Sequence, residues 1–259
     1  MSSLRKMLSI LELFTVDRPS MGADEIAAEL GLARTTCYRY VRELAQAGLL
    51  LSSGGRYSLG HRIIRLDHQI RECDPLIGTA RPLMRRLVQE TGAAALLTSI
   101  YGDEIINIHM ESGDDLPAQL LGRGRSMPLF RTATSTVILA TLPRARLKRL
   151  HTQHADADND WTSFNRSLNA ARKQGWWVSH GEMMGGLDGI AAPIVGAPRD
   201  VPAAALSLVF RPERYRMFDE DHLGRELAAC GQQVGDALSH AAAEDAEGPG
   251  HAEASLNPA

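Results

Sequence analysis

No stretch of the chain narrows its fold as much as ADEIAAELGLARTTCYRYVRELAQAG, Ala23 to Gly48. It holds two helical periods on either side of a tight glycine turn. Asp24 and Glu25 open the first period, where the positive end of a helix dipole favours acids, and Gly31 supplies its C-cap. In the second, Cys37, Tyr40, Val41 and Leu44 fall at i, i+3, i+4 and i+7 and so share one buried face. Arg34, Thr35, Tyr38, Arg39 and Arg42 must then point elsewhere. From Gly31 to Arg65, six arginines (Arg34, Arg39, Arg42, Arg56, Arg62 and Arg65) stand against one acid, Glu43, a net of +5. A surface helix ordinarily mixes both signs, so this segment implies a negatively charged partner.

The flanks complete a known arrangement. Leu4, Met7, Leu8, Leu11 and Phe14 repeat at helical spacing behind Ser2 and Ser3, which predicts a first amphipathic helix. After Gly48, LLL and RYSL on either side of Ser52-Ser53-Gly54-Gly55 predict two short strands about a glycine turn. Three helices and a hairpin make a winged helix-turn-helix, whose third helix enters the major groove of a duplex. This geometry sets Thr35, Thr36, Tyr38 and Arg39 near base edges, and Arg34, Arg42 and the wing's Arg56 at phosphates.

Composition bounds the rest. The 259 residues carry a formal charge of -3. No run approaches the roughly 18 apolar residues of a bilayer span. The N-terminus has a helical period without a small-residue cleavage site, so it reads as folded protein and not as a secretion signal. Cys37, Cys73 and Cys230 form no CxxC pair, which leaves neither a disulfide framework nor a structural zinc site, and a reducing cytoplasm fits. The segment 241–259 holds four acids and no base with little to pack, and reads as a disordered tail.

Ile63, Leu66 and Ile70 form a stripe on a helix ending before Pro75, suited to a connector that also pairs with a second copy. The remainder alternates strand-like runs (Ala93 to Tyr101, Ile105 to Glu111, Ala118 to Gly122, Trp176 to Ser179, Gly189 to Val195, Ala203 to Phe210) with helices near 75–91, 134–142, 144–151, 161–174 and 219–240. Such an order predicts an α+β domain on an antiparallel sheet. The expected organisation is a winged helix-turn-helix over 1–60, a linker helix over 61–74, the α+β domain over 75–240 and the tail beyond. A helix starting near Thr134 would offer backbone N–H groups and positive dipole to a carboxylate. Thr132, Thr134 and Ser135 add hydroxyls there and Arg131 a charge, although Thr132 or Thr134 also serves as an ordinary cap. Trp176 and Trp177 alternate, one toward the core and one toward a helix or partner.

In order and spacing, EIAAELGLARTTCYRYVRELAQAGLL with YSLG, ARPLMRRLVQETG, SMPLFRTATSTVILATLP, GEMMGGLDGIAAPI and AALSLVF resemble the isocitrate lyase regulator (IclR) family of bacterial transcription factors, from about Leu4 to His240. The resemblance implies a homodimer or tetramer on double-stranded operator DNA, with a GAF-like C-terminal domain binding a small-molecule effector. It implies DNA contacts at Arg34, Thr35, Thr36, Tyr38 and Arg39, and effector contacts at Ala133, Thr134, Ser135, His180, Gly189 and Ser207. Where many members have G-K-A, this chain has Ser135-Thr136-Val137. A small organic or aromatic acid is the expected effector. No cofactor or metal is indicated. His151 and His154, followed by Asp156, Asp158 and Asp160, read as a solvated loop more readily than as ligands. Two other readings stand beside this one: an enzyme with an accessory DNA-binding head, using His180 and Glu182 as acid/base groups, and a winged helix serving protein–protein contact.

Overall fold

The computed structural model describes residues 2–247 except 114, 115, 117–120, 157, 158, 184, 185 and 199. The chain divides into two compact units, Met1–Asp74 and Pro75–Ala259.

The N-terminal unit contains α1 (Ser3–Leu8), β1 (Met21–Gly22), α2 (Ala23–Glu29), α3 (Arg34–Gln46), β2 (Leu50–Ser53), β3 (Arg56–Leu59) and α4 (His61–Cys73). α1 is shorter than its apolar period: it stops at Ser9, whose hydroxyl donates to the Lys6 carbonyl, and Leu11–Leu13 make a separate 3-10 turn. In consequence Ile10 and Phe14 are buried while Leu4 and Leu8 are exposed. α3 buries Cys37, Tyr40, Val41 and Leu44, the seam its spacing predicts. They pack with Ile10, Met21, Ile26 and Leu50. Each fully buried aliphatic side chain of this size contributes about 1.5–3 kcal/mol, so a few of them suffice to fix α3 in so small a unit.

β2 and β3 pair antiparallel from Leu50↔Leu59 to Ser53↔Arg56, and Gly54 and Gly55 between them both have positive φ (55° and 78°). That is the two-residue turn whose twist suits a hairpin and which side chains resist. β1 adds a third strand, in the order β1-β3-β2, that the sequence did not advertise.

The C-terminal unit holds α5 (Pro75–Thr91), β4 (Ala94–Tyr101), β5 (Glu104–Glu111), β6 (Ser126–Met127), α6 (Ala133–Thr141), α7 (Arg144–His154), α8 (Trp161–Gln174), β7 (Trp177–Met183), β8 (Leu187–Pro193), β9 (Ala204–Phe210), the short α9 (Pro212–Tyr215) and α10 (Glu220–Glu247). The six strands form one antiparallel sheet in the order β6-β5-β4-β9-β8-β7. One face, with Ile190, Ala192, Leu206 and Leu208, packs on α5 and α10. The other, with Ala191 and Ala205, packs on α6, α7 and α8. Trp176 belongs to the first core and Trp177 packs against the second, the alternation their adjacency predicts. The molecule is thus α+β, with a winged helix-turn-helix preceding an antiparallel-sheet domain.

α10 continues to Glu247, past the helix end expected at 240, because Ala241, Ala242, Ala243 and Ala246 are strong helix formers despite the acids among them. The rest of the expected tail, 248–259, lies outside the described residues, as do residues 118–120 of the expected strand Ala118 to Gly122, and Asp158. Among the described residues no helix is long and apolar enough to cross a membrane.

Candidate nucleic-acid interface and effector site

Burying Cys37, Tyr40, Val41 and Leu44 leaves Arg34, Thr35, Tyr38, Arg39 and Arg42 exposed on α3, with Thr36 half-buried beside them. Tyr38 is 50% exposed, high for an aromatic ring with a polar tip. Between α3 and the wing lies a groove of about 830 Å³, with Tyr38, Arg39, Arg42, Glu43, Ser52 and Tyr57 among its walls. The Arg39 guanidinium sits over the buried Tyr40 ring, 5.4 Å from its centroid. Apart from that ring contact, Arg39 and Arg42 form no ion pair among the described residues.

Arg34 and Arg56 differ. Both reach back to the first turn of α2. Arg34 grips Asp24 with two parallel bonds, Nε to Oδ1 at 2.7 Å and Nη2 to Oδ2. Hydrogen bonds from Arg34 hold the Asp24 carboxyl below its usual range. Arg56 donates through Nε to Ser20 Oγ (3.2 Å) and through Nη2 to both the Ser20 carbonyl (2.8 Å) and Glu25 Oε2 (3.1 Å). Glu25 also accepts the Gly22 N–H at 2.6 Å, and that bond, followed by the charge of Arg56, lowers its carboxyl too. The +5 counted from Gly31 to Arg65 is therefore partly neutralised by two acids just outside the counted segment.

In the C-terminal unit, Ala133, Thr134, Ser135, Gly189 and Ser207 come together, buried where α6 begins against β8 and β9. The open cradle expected there is closed. The Ala133 N–H donates to Ser179 Oγ (3.1 Å), the Ser135 N–H to Thr132 Oγ1 (3.1 Å), Thr134 Oγ1 to Ser207 Oγ (2.9 Å), and Ser135 Oγ to the Pro128 carbonyl (2.5 Å). Thr132 is the cap, and the other hydroxyls satisfy one another. Ser179, absent from the predicted set, is a central member of it. Alternation along β7 was the signal, since Ser179 and Gly189 are paired across the strands.

His180 and Arg131 part from this group. One residue after Ser179, His180 lies on the α9–α10 side of the sheet. Its Nδ1 is 3.4 Å from Asp188, its Nε2 is 3.8 Å from Glu220, and its ring meets Tyr215 edge-on at 5.5 Å. These residues with Pro212, Arg216 and Phe218 border an open cavity of about 510 Å³. Burial, then the Glu220 carboxylate that accepts its hydroxyl, pushes the Tyr215 phenol well up. Arg131 does not turn inward to the helix start but pairs with Asp156 at 2.8 Å. A second cavity, about 630 Å³, adjoins α6 on the α8 side, and Phe130, Phe164 and Trp177 with Thr136, Ser163 and Glu182 are among its walls. Burial raises the Glu182 carboxyl above its ordinary range.

His151 is packed between Phe130 and Trp161, with its Nε2 2.7 Å from the Asn159 carbonyl, and no group of three potential metal ligands occurs among the described residues.

Comparison with known proteins agrees on both units. Residues 3–53 match the IclR helix-turn-helix domain, and residues 69–236 match the C-terminal domain of the bacterial transcriptional regulator IclR. The glycerol operon regulatory protein of Streptomyces coelicolor is 28% identical over 244 residues, 92% of this chain and 94% of its own. The p-hydroxybenzoate hydroxylase transcriptional activator of Acinetobacter baylyi is 26% identical over 227 residues, 82% of each chain. An IclR homolog of Microbacterium hydrocarbonoxydans, solved with 4-hydroxybenzoate, superposes with a TM-score of 0.72 at 22% identity, over 92% of this chain and all of its own.

Proposed function

The chain belongs to the IclR family of bacterial transcriptional regulators, and from that premise we propose that it reads operator DNA through α3 and answers to a small organic or aromatic acid held beside α6. The family is regulatory and not enzymatic, so His180 and Glu182 are not an acid/base pair, and the winged helix serves DNA rather than protein contact.

The outward face of α3 carries this reading. It sets Thr35, Thr36, Tyr38 and Arg39 where a recognition helix meets base edges, and Arg42 where it meets phosphate. Arg39→Ala should weaken binding and relax base preference at one position by about 1–3 kcal/mol, read by fluorescence anisotropy on duplexes varied base by base. Unchanged affinity together with unchanged preference would show that α3 does not read the groove.

The aromatic lining of the 630 Å³ cavity, Phe130, Phe164 and Trp177, supports a ring-bearing ligand. The relative named for p-hydroxybenzoate hydroxylase and the neighbour solved with 4-hydroxybenzoate support an aromatic acid. Its carboxylate would take the place of Ser179 Oγ at the Ala133 N–H, with Ser207, Thr134, Ser135 and Gly189 around it. Arg131 stands at the same cavity and His180 beyond it, across the sheet. Because these polar groups bond one another, a carboxylate at the Ala133 N–H must open this network, which gives the effector a conformational change to drive. Calorimetry against a panel of carboxylates and their neutral amides tests this, and a site that takes the amides alone overturns it.

α4 supports a homodimer, or a tetramer built from dimers. Leu66 and Ile70 are 41% and 53% exposed on it and half-buried Ile63 shares their face, an apolar stripe suited to a second copy. A dimer would set two recognition helices about 34–36 Å apart or at multiples of this, so a few ångströms of change in their spacing alters affinity. A coupling of roughly 1–3 kcal/mol is the usual scale. The cytoplasm, where the operator lies, is the proposed location.

A further inference from the structure

We infer that Asp24 is a positioning residue for DNA recognition: it locks Arg34 so that the free edge of the guanidinium reads a guanine rather than gripping a phosphate. This rests on the reading of α3 as the recognition helix, and it changes the role of Arg34 from anchor to reader.

A guanidinium carries five N–H donors in a fixed planar fork. Asp24 engages the Nε–H and one Nη2–H, leaving three. Two of those, one on Nη1 and one on Nη2, point in parallel along the distal edge. That edge has the spacing of the O6/N7 acceptor pair of guanine in the major groove. Arg34 is the first residue of α3, the end at which recognition helices touch bases. Its side chain is 73% exposed, so the distal edge is open to a partner.

Charge separates the two possible partners. A lone arginine favours phosphate, because full charge meets full charge. Arg34 with Asp24 is a neutral pair, and a phosphate approaching it also approaches the Asp24 carboxylate. Guanine offers two neutral acceptors and no net charge, so it keeps the benefit of the donors without that repulsion. Holding the side chain in advance also removes rotamer freedom that would otherwise be lost on binding.

Arg56 shows what the same helix turn does without this outcome. Its Nη2 makes two bonds, to Ser20 and Glu25, and its Nε a third. No parallel pair of donors remains, and Arg56 acts as a strut tying β3 to the start of α2.

The test is selection from a pool of random 30-base-pair duplexes by the full-length protein, followed by sequencing, for wild type, Asp24→Asn, Asp24→Glu, Arg34→Lys and Arg34→Ala. Wild type should enrich a motif with a guanine in each half-site. Asp24→Asn should lower the preference for that guanine by about 5- to 150-fold and leave the other positions intact. Its salt slope on a non-specific duplex should steepen by about 0.9, as Arg34 turns to phosphate. Arg34→Lys and Arg34→Ala should lose the same guanine, and Asp24→Glu should recover part of it. If Asp24→Asn keeps the wild-type motif, or loses every position equally, Asp24 does not position Arg34 for a base. If wild type itself enriches no motif, the recognition-helix reading falls, and this inference with it.

Discussion

Replacing Gly235 by alanine should destabilise the C-terminal unit, although alanine is by far the better helix former. Gly224, Gly231 and Gly235 lie along one face of α10, all buried. Propensity alone makes each about 1 kcal/mol less favourable than alanine in a helix interior. What they permit is close approach. A Cβ at Gly224 would collide with the Trp176 ring, one at Gly231 with the Pro193 carbonyl, and one at Gly235 with the Val195 carbonyl oxygen, 2.7 Å from its carbon. Non-bonded carbons rest at about 3.5–4.0 Å, and the carbonyl oxygen lies nearer than its carbon, so α10 or the chain after β8 must move by more than ~1 Å. The obstacle is backbone on both sides and cannot rotate away, which puts the cost near the upper end of the usual ~1–3 kcal/mol for overpacking. Against a propensity gain of about 1 kcal/mol, the net loss is about 2 kcal/mol.

Gly78 in α5 provides the control, because nothing lies within 4 Å of a Cβ built there and the residue is exposed. Gly78→Ala should stabilise by about 0.5–1 kcal/mol, so one substitution acts with opposite signs in two helices of one unit. Trp161, Trp176 and Trp177 are the only tryptophans in the chain and all belong to the C-terminal unit. Tryptophan fluorescence in urea therefore follows this unit alone. A Gly235→Ala protein with a midpoint at or above that of wild type, at equal m-value, would refute the close-packing account. β8 carries Gly189, so the same variant should also weaken effector binding.

Two further outcomes follow from buried polar groups. Ser207→Ala leaves the Thr134 hydroxyl without its partner in a closed site and should cost about 1–3 kcal/mol, whereas Thr134→Val with Ser207→Ala should cost less than the sum of the single changes, as a urea-denaturation cycle will read. Burial pushes the Glu111 carboxyl up, but hydrogen bonds from His109 and Arg81 and the charge of Arg85 outweigh it and hold the group below its ordinary 4.5. The unfolded chain then binds the extra proton, so this stabilisation is present above about pH 4.5 and is lost as pH falls through the lowered value. Glu111→Gln should flatten the acid limb of stability against pH, and an unchanged limb would show that the cluster contributes nothing.

How much of this was legible in the sequence depends on the range of the interaction. The buried seam of α3 follows from a 3.6-residue period and needs no tertiary knowledge, and the alternation of Trp176 and Trp177 follows from the two-residue period of a strand. The early end of α1 was less visible, because its apolar period runs on while, from Ser9, the α-helical hydrogen bonds give way to tighter 3-10 turns. β1 is two residues long, and only its partner β3, more than thirty residues away, makes it a strand. The hydroxyls at the start of α6 were plain in composition, but not that Ser179 and Ser207 would arrive from other strands to bond them. The family resemblance groups His180 with Gly189 and Ser207. The alternation that separates it from Ser179 was present in the same seven residues and would have set it on the far side of the sheet.

The basic surface is the sharper case. Counting charge from Gly31 to Arg65 treats every arginine as equally free. Whether an arginine is a point charge, a reading head or a strut depends on which of its five donors are already spent. Asp24 and Glu25 were visible as helix-dipole acids, yet their partners come from α3 and the wing, ten and thirty-one residues further along. Local periodicity therefore decides which face of α3 is presented, and an acid arriving from α2 decides which donors of Arg34 are already engaged.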